Sequence, residues 1–98
     1  MRLIYHPDAE AELIEAAQFY ERQVSTLGAQ FLDAVDQAVR IIVDAPERWS
    51  IIDANVRHYL MPRFPYAIYY RVTADYIRIL AVKHHRRHPG YWRYRLAE

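Results

Sequence analysis

The stretch from Tyr76 to Trp92 constrains the fold more than any other part of this sequence. It opens with an apolar, β-branched run of strand length, Tyr76 to Val82, which leads directly into six basic or titratable residues, Lys83 to His88. Pro-Gly then interrupts the backbone, and Tyr-Trp follows. A strand of this kind presents cationic and histidine side chains at its end, where an anionic partner can reach them.

A second strand precedes this stretch. Residues Arg63 to Arg71 read Arg-Phe-Pro-Tyr-Ala-Ile-Tyr-Tyr-Arg, with arginine at both ends, and the part from Tyr66 to Thr73 alternates in the manner of a strand. Ala74-Asp75 separates it from the strand Tyr76 to His84 and predicts a two-residue hairpin turn. Short alternating strands are typical of antiparallel sheets, so we expect these two to form one hairpin that the rest of the chain supports.

The first half of the chain predicts a strand and two helices. Apolar residues recur at intervals of three and four, and Pro7, Gly28 and Pro46 mark where helices begin or end. The short connection predicts an antiparallel helical hairpin. Glu12, with Glu15 and Arg22, is expected on its exposed side. The predicted elements are a strand Arg2–Tyr5, helices Pro7–Gln23 and Leu27–Asp44, and a strand Val56–Met61.

These elements predict an α+β fold of order β-α-α-β-β-β. We expect an antiparallel sheet with the helical hairpin packed on one face, and an opposite face rich in Tyr and Arg that is open for binding. Residues 47–55 are expected to form a loop or a ragged strand, with Trp49, Ile51 and Ile52 tucked under the helices.

The charges are divided unevenly along the chain. Residues 1–49 hold four arginines against nine acidic residues, a net charge of −5, whereas residues 50–98 hold eight arginines and Lys83 against three acidic residues, a net charge of +6. Arginine forms bidentate bonds to phosphate and carboxylate groups, which lysine does not. The second half therefore predicts a surface for an anionic partner, either RNA or an acidic protein segment, unless its arginines are simply solvated at the sheet rim.

Several classes of protein are not expected. The chain has no cysteine, and no histidine joins the acidic residues at ligand spacing, so we expect no disulfide, metal or other cofactor. No apolar run approaches the ~20 residues that span a bilayer, and the N-terminus does not have the form of a signal peptide. We therefore expect a cytoplasmic protein with no membrane partner.

The order of elements and the motifs of the second half resemble the RelE/ParE superfamily of toxins from type II toxin–antitoxin systems, in particular its ParE-like or plasmid stabilisation branch. The resemblance covers nearly the whole of residues 1–98, as a single RelE/ParE-like domain. The sharpest matches are Arg57, Arg63-Phe64-Pro65-Tyr66 with Ile68 and Tyr70, Ile79 to Val82, and then His84, Arg86, Arg87, Pro89, Tyr91, Trp92 and Arg95.

The resemblance implies a small growth-inhibiting toxin that a co-encoded antitoxin neutralises. Such an antitoxin carries a DNA-binding module and a disordered tail that folds on the toxin, so the toxin reaches operator DNA only through it. Two targets stay open: ParE-like members inhibit DNA gyrase without catalysis, and RelE-like members cleave mRNA on the ribosome without a metal. The ParE-like signature and the single lysine favour gyrase.

Candidate site residues follow from these two alternatives. If the chain is a nuclease, His84 is the general acid or base, Arg57 and Arg87 hold the phosphate, and Tyr91 or Trp92 stacks a base. We expect the antitoxin to cover at least part of the cluster from Arg57 to Arg87. The residues expected to bind the target or the antitoxin are Arg57, Arg63, Arg71, Arg86, Arg87, Trp92 and Arg95.

Structural roles compete with these assignments. His84 could simply end a strand and bond a neighbouring carbonyl group. Tyr91 and Trp92 could fold back to close the core, and Arg63 and Arg71 could pair with the acidic helices. Arg86 and Arg87 are harder to explain by structure, because adjacent side chains point apart, which indicates that at least one lies on a functional surface.

Overall fold

The predicted α+β architecture is confirmed by a computed structural model, which describes residues 1–97. A mixed five-stranded sheet packs against a pair of helices. Within residues 1–97, no helix combines the length and apolar character needed to cross a membrane. The elements are β1 (Arg2–Tyr5), α1 (Pro7–Gln23), α2 (Leu27–Asp44), β2 (Ile51–Asp53), β3 (Val56–Leu60), β4 (Tyr66–Val72), β5 (Tyr76–His84) and a short 3-10 helix (Arg93–Ala97).

The sheet has the strand order β1-β5-β4-β3-β2. Strands β2 to β5 form the expected antiparallel meander, but β1 pairs with β5 in parallel, from Arg2 opposite Tyr76 to Tyr5 opposite Ile79. Parallel neighbours need a long connection, and the helical hairpin together with the first strands of the meander supplies it. The expectation of a wholly antiparallel sheet is therefore corrected at this one pairing.

Residues 51–53 form an additional edge strand. Ala54 and Asn55, with φ of 46° and 65°, turn the chain into β3 through a left-handed conformation of the kind found in two-residue hairpins. As part of an edge strand, Ile51 and Ile52 are 53% and 38% exposed, so they do not lie under the helices as expected. Trp49 is half-buried and packs against the Tyr59 ring at 4.9 Å.

The helical hairpin covers one side of the sheet, which we call the helix face. Its core joins buried side chains of both helices to inward-facing residues of β4 and β5, among them Phe31, Ile42, Ile68, Tyr70 and Ile79. Where the helices meet, Glu21 accepts hydrogen bonds from the backbone N–H groups of Thr26 (3.0 Å) and Gly28 (2.9 Å). These bonds satisfy N–H groups at the start of α2 that the helix itself leaves unpaired.

The opposite side of the sheet, which we call the far face, is partly covered. Tyr69 pairs with Ala81 and Tyr70 with Ile79, so Leu80 is an extra residue in β5. This bulge directs both Leu80 and Ala81 to the far face, where they pack with Val56 and Trp92. The expected open face is therefore corrected: the C-terminal segment folds over its centre and buries Trp92 to 1% exposure.

We predict that Gly28→Ala destabilises the helical hairpin. A Cβ atom at this position would lie 2.5 Å from the Ala17 carbonyl oxygen and 2.9 Å from Glu21 Cβ, and a backbone oxygen cannot yield as a side chain can. Overpacking of this kind costs about 1–3 kcal/mol, more than the ~0.5–1 kcal/mol that alanine gains over glycine in a helix. Urea unfolding measures the difference.

Gly90→Ala is the matched control. Among residues 1–97, its Cβ atom would meet only the Arg93 side chain, at 3.5 Å, so we expect a change below about 0.5 kcal/mol. A Gly28→Ala protein as stable as the unsubstituted chain would contradict the close approach of α1 and α2.

Candidate functional site

A single carboxylate lies at the centre of the cluster that the end of β5 presents. Glu12 Oε1 accepts hydrogen bonds from Val82 N (3.0 Å) and Arg95 Nη1 (3.0 Å). Glu12 Oε2 accepts from Arg95 Nη2 (2.9 Å) and Tyr91 Oη (2.7 Å). The Glu12 side chain is only 12% exposed, so its expected outward orientation was wrong.

The sequence contains one signal for this role. Glu12 lies three residues after Ala9 and four before Ala16, both of which are buried. That spacing places Glu12 at the border of the buried stripe of α1 and not on its exposed side. An acidic residue in such a position needs a partner, and Arg95 supplies it.

Arg95 fastens the C-terminal segment to the sheet. Besides Glu12, its guanidinium donates to the Leu80 carbonyl oxygen (2.8 Å) and to Tyr94 Oη (3.1 Å), and Tyr94 donates to Asp8. Burial lowers the pKa of Arg95, but the hydrogen bonds to Glu12 and Tyr94 outweigh it and raise that pKa above its ordinary value. With its side chain 4% exposed, Arg95 is a structural residue here and does not present the binding surface that the sequence predicts.

Tyr91 lies between two guanidinium groups. Arg87 stands 3.9 Å from the ring centroid and Arg95 stands 5.1 Å from it. Burial, followed by the hydrogen bond to Glu12, raises the pKa of the Tyr91 hydroxyl far above its ordinary value, so the group remains a proton donor at physiological pH. The ring is already engaged in cation–π contacts, which leaves it poorly placed to stack a nucleotide base.

His84 ends β5 on the helix face. It lies opposite Tyr66, with ring centroids 5.0 Å apart in an edge-on arrangement. Its Nδ1 accepts a hydrogen bond from Arg86 N (3.0 Å), so the neutral ring carries its proton on Nε2. Burial, and then the charges of His85, Arg86 and Lys83, lower the pKa of His84 below its ordinary value.

Glu12, His84 and Arg87 border a cleft of about 210 Å³ between α1 and the end of β5. The cleft combines acidic, cationic and aromatic walls, and Phe19 at its rim is 49% exposed. Such a surface suits a protein segment with both apolar and charged residues. Its lining includes Glu12, Glu15, Phe19, Tyr66, His84 and Arg87.

Arg57 does not lie in this cleft. Arg57 lies opposite Tyr70 of β4, whereas His84 lies opposite Tyr66 of the same strand. The four-residue step from Tyr66 to Tyr70 corresponds to a distance of about 13 Å along β4. Arg57 Nη1 donates to the carbonyl oxygens of Glu47 (3.0 Å) and Trp49 (2.6 Å). Arg57 therefore holds the segment before β2, away from the groups with which a nuclease would have to combine it.

The other predicted binding residues divide between surface and core. Arg86 and Arg87 are exposed at the end of β5, and Trp92 is buried with Arg95. Arg63 donates to Gln30 Oε1 of α2 (3.2 Å) and pairs with no acidic residue in the described chain. Arg71 lies on the far face opposite Arg78, a residue that the sequence did not single out.

Comparison with known proteins identifies the family of this chain. Residues 3–89 match the family described as "ParE toxin of type II toxin-antitoxin system, parDE". The chain belongs to the ParE toxin family.

Individual relatives agree with this family. Toxin ParE2 of Mycobacterium tuberculosis, in strains CDC 1551 / Oshkosh and ATCC 25618 / H37Rv, is 34% identical over 93 residues, which covers 91% of this chain and 86% of the relative. A solved structure described as a chromosomal ParDE TA system from P. aeruginosa is similar with a TM-score of 0.65 at 21% identity, covering 86% of this chain and 95% of the other. That likeness supports the fold.

Membership has two consequences. The resemblance to the RelE/ParE superfamily is confirmed, and the chain is a toxin of a ParDE-type toxin–antitoxin system. A ParE-family toxin has a cognate antitoxin, so at least one surface of this domain binds that antitoxin.

We predict that Glu12→Gln lowers the free energy of unfolding by about 3 kcal/mol, because it leaves the Arg95 guanidinium buried without a counter-charge. Glu15→Gln is the matched control: it removes an exposed carboxylate from the same helix and should change stability by less than about 0.5 kcal/mol. Urea unfolding of the two variants distinguishes them, and equal midpoints would contradict the central role of Glu12.

We also predict that His84 titrates below the ordinary histidine pKa of about 6.5 in an NMR titration. Because the folded state resists protonation of this ring, stability falls as the pH is lowered through the ordinary histidine range. Arg86→Gln removes one neighbouring cation and should raise the pKa of His84, whereas Arg93→Gln, whose side chain pairs with Asp53, should leave it unchanged. A His84 pKa above 6.5 would contradict this electrostatic environment.

Proposed function

We propose that this toxin inhibits DNA gyrase by binding it, without catalysing a reaction, and that its cognate antitoxin neutralises it by covering part of the same surface. This target implies action in the cytoplasm. The proposed contact surface is the end of β5, where Arg86 and Arg87 are exposed beside the cleft that Phe19 and His84 border.

The separation of Arg57 from His84 is the observation that carries this proposal. Metal-free RNA cleavage needs an acid–base group and a phosphate-binding cation within reach of one scissile bond. Here Arg57 lies about 13 Å along the strands from His84 and donates hydrogen bonds to two backbone carbonyl oxygens. The Tyr91 hydroxyl is likewise engaged, because it donates to Glu12. Burial, and then the charges of His85, Arg86 and Lys83, lower the pKa of His84, a direction that disfavours the imidazolium form that a general acid requires.

A second candidate function is cleavage of ribosome-bound mRNA. One observation favours it: His84 and Arg87 border the same cleft, so an acid–base group and a cation are adjacent. In that mechanism the two residues would act without Arg57.

We expect purified toxin to inhibit supercoiling by gyrase, and the double variant Arg86→Gln/Arg87→Gln to weaken inhibition at least about tenfold, since loss of close charge contacts in an interface costs about 2 kcal/mol or more. The matched control, Arg22→Gln/Arg40→Gln, removes the same charge from the exposed sides of the helices and should change inhibition little. His84→Ala should weaken inhibition less than the double variant does, because binding without catalysis needs no acid–base group.

Pulse labelling of cells after induction without antitoxin separates the two targets. We expect DNA synthesis to stop before protein synthesis. If protein synthesis stops first, and His84→Ala abolishes both this effect and ribosome-dependent mRNA cleavage, the gyrase proposal is overturned in favour of the nuclease.

A further inference from the structure

Two arginines face each other on the far face without a counter-charge. Arg71 of β4 and Arg78 of β5 are direct partners in the antiparallel register, which places their Cβ atoms about 4.5–5.5 Å apart. Like charges in this arrangement destabilise a sheet. Neither takes part in an ion pair of residues 1–97, where the arginines of the ion pairs are Arg40, Arg93 and Arg95.

Burial makes this pair more unusual. Both side chains are half-buried, and the Nε atom of each is shielded from solvent with no hydrogen-bond partner in residues 1–97. Buried polar atoms in folded proteins are nearly always bonded, and an unbonded one calls for a specific explanation. The paired guanidinium groups therefore carry an uncompensated charge that an anionic partner would neutralise.

Arg2 extends the same positive surface. Ile4 lies opposite Arg78 in the parallel pair, and Arg2 lies two residues before Ile4, so it projects from the same face. Arg2 is exposed, and Tyr76 opposite it is half-buried. All three arginines thus lie on the far face at the end of the sheet where the β4–β5 turn lies, at the opposite end of β5 from His84.

We propose that this triad of Arg2, Arg71 and Arg78 binds carboxylate groups of an acidic segment of the cognate antitoxin. The three arginines lie at one end of the far face, and the apolar packing of Trp92 occupies its centre. A nucleic acid would call for a basic tract that follows its backbone, whereas one or two carboxylates fit a compact cluster. The inference rests on the toxin–antitoxin part of the proposed function and is independent of the gyrase target.

A synthetic hexaglutamate peptide tests the chemistry directly. In an NMR titration at low salt, the Nε–Hε resonances of Arg71 and Arg78 should shift with the peptide, and those of Arg22 and Arg40 on the helices should not. If the peptide leaves Arg71 and Arg78 unchanged, the proposal is overturned. If a single-stranded oligonucleotide shifts them and the peptide does not, the site binds phosphate groups and the acidic-segment proposal is likewise overturned.

The antitoxin encoded with the toxin tests the partner. Arg71→Glu should weaken antitoxin binding at least about tenfold in calorimetry, while Arg22→Glu, which makes the same change of charge on the exposed side of α1, should alter it less than about threefold. The carboxylate that Arg71→Glu introduces would pair with Arg78 across the strands, so this variant should melt no lower than the unsubstituted toxin.

The outcomes are separable. Undiminished antitoxin binding by Arg71→Glu overturns the proposal, and so does weakened binding accompanied by a lower melting temperature, since the loss then follows from damage to the fold. Failure of the unsubstituted toxin to bind the co-encoded antitoxin overturns instead the toxin–antitoxin assignment of this chain. In that case a peptide response at Arg71 and Arg78 still shows a carboxylate site, with a different protein as its source.

Discussion

The buried pair of Glu12 and Arg95 is the interaction on which the second side of the sheet depends. One carboxylate joins α1, the backbone of β5 at Val82, and the C-terminal segment through Tyr91 and Arg95. A buried ion pair adds little net stability when it is intact, but loss of one partner leaves an uncompensated charge at high cost. The pair therefore fixes the position of the C-terminal segment on the sheet more than it adds to stability.

The Glu12–Arg95 pair also determines which side chains of the far face remain exposed. Because Arg95 binds the Leu80 carbonyl oxygen at the bulge of β5, the C-terminal segment places Trp92 over Val56, Leu80 and Ala81. The aromatic packing excludes partners from the centre of the face and leaves the exposed charges at its edges. The ion pair between Arg93 and Asp53 extends the same cover to the edge strand β2.

Local pattern predicted most of the fold. The bounds of both helices and of β5 agree with the sequence prediction, because proline, glycine and apolar periodicity are signals carried by neighbouring residues. The parallel pairing of β1, the bulge at Leu80 and the role of Glu12 were not predicted. Each of these depends on partners far apart in sequence, as Glu12 and Arg95 are, at 83 residues. The spacing of Glu12 from Ala9 and Ala16 indicates partial burial, but a single sequence does not indicate which distant residue it contacts.

The sequence predicts which residue types form the candidate site but not how those residues are arranged. Sequence identified a cluster of arginines, yet it could not separate those that hold the fold from those left for partners. Arg57 and Arg95 donate to backbone carbonyl oxygens, which is a structural task, whereas Arg86 and Arg87 remain exposed. Whether an arginine holds the fold or stays exposed depends on which backbone carbonyl groups lie unpaired near it. The net charge of the sequence does not contain that information.

The two groups of arginines proposed to bind partners lie on opposite faces of the sheet, towards opposite ends of β5. Arg71 and Arg78 lie on the far face near the start of β5, whereas Arg86 and Arg87 follow its end beside the helix-face cleft. Six residues of strand separate Arg78 from His84, which is about 20 Å. Because the two groups lie on opposite faces, a segment that reaches both must also pass around an edge of the sheet, so it must be longer than the six residues that cover this distance at about 3.3 Å per residue. Such a segment could anchor on the first group and cover the second, so neutralisation would depend on its length as well as on its charge.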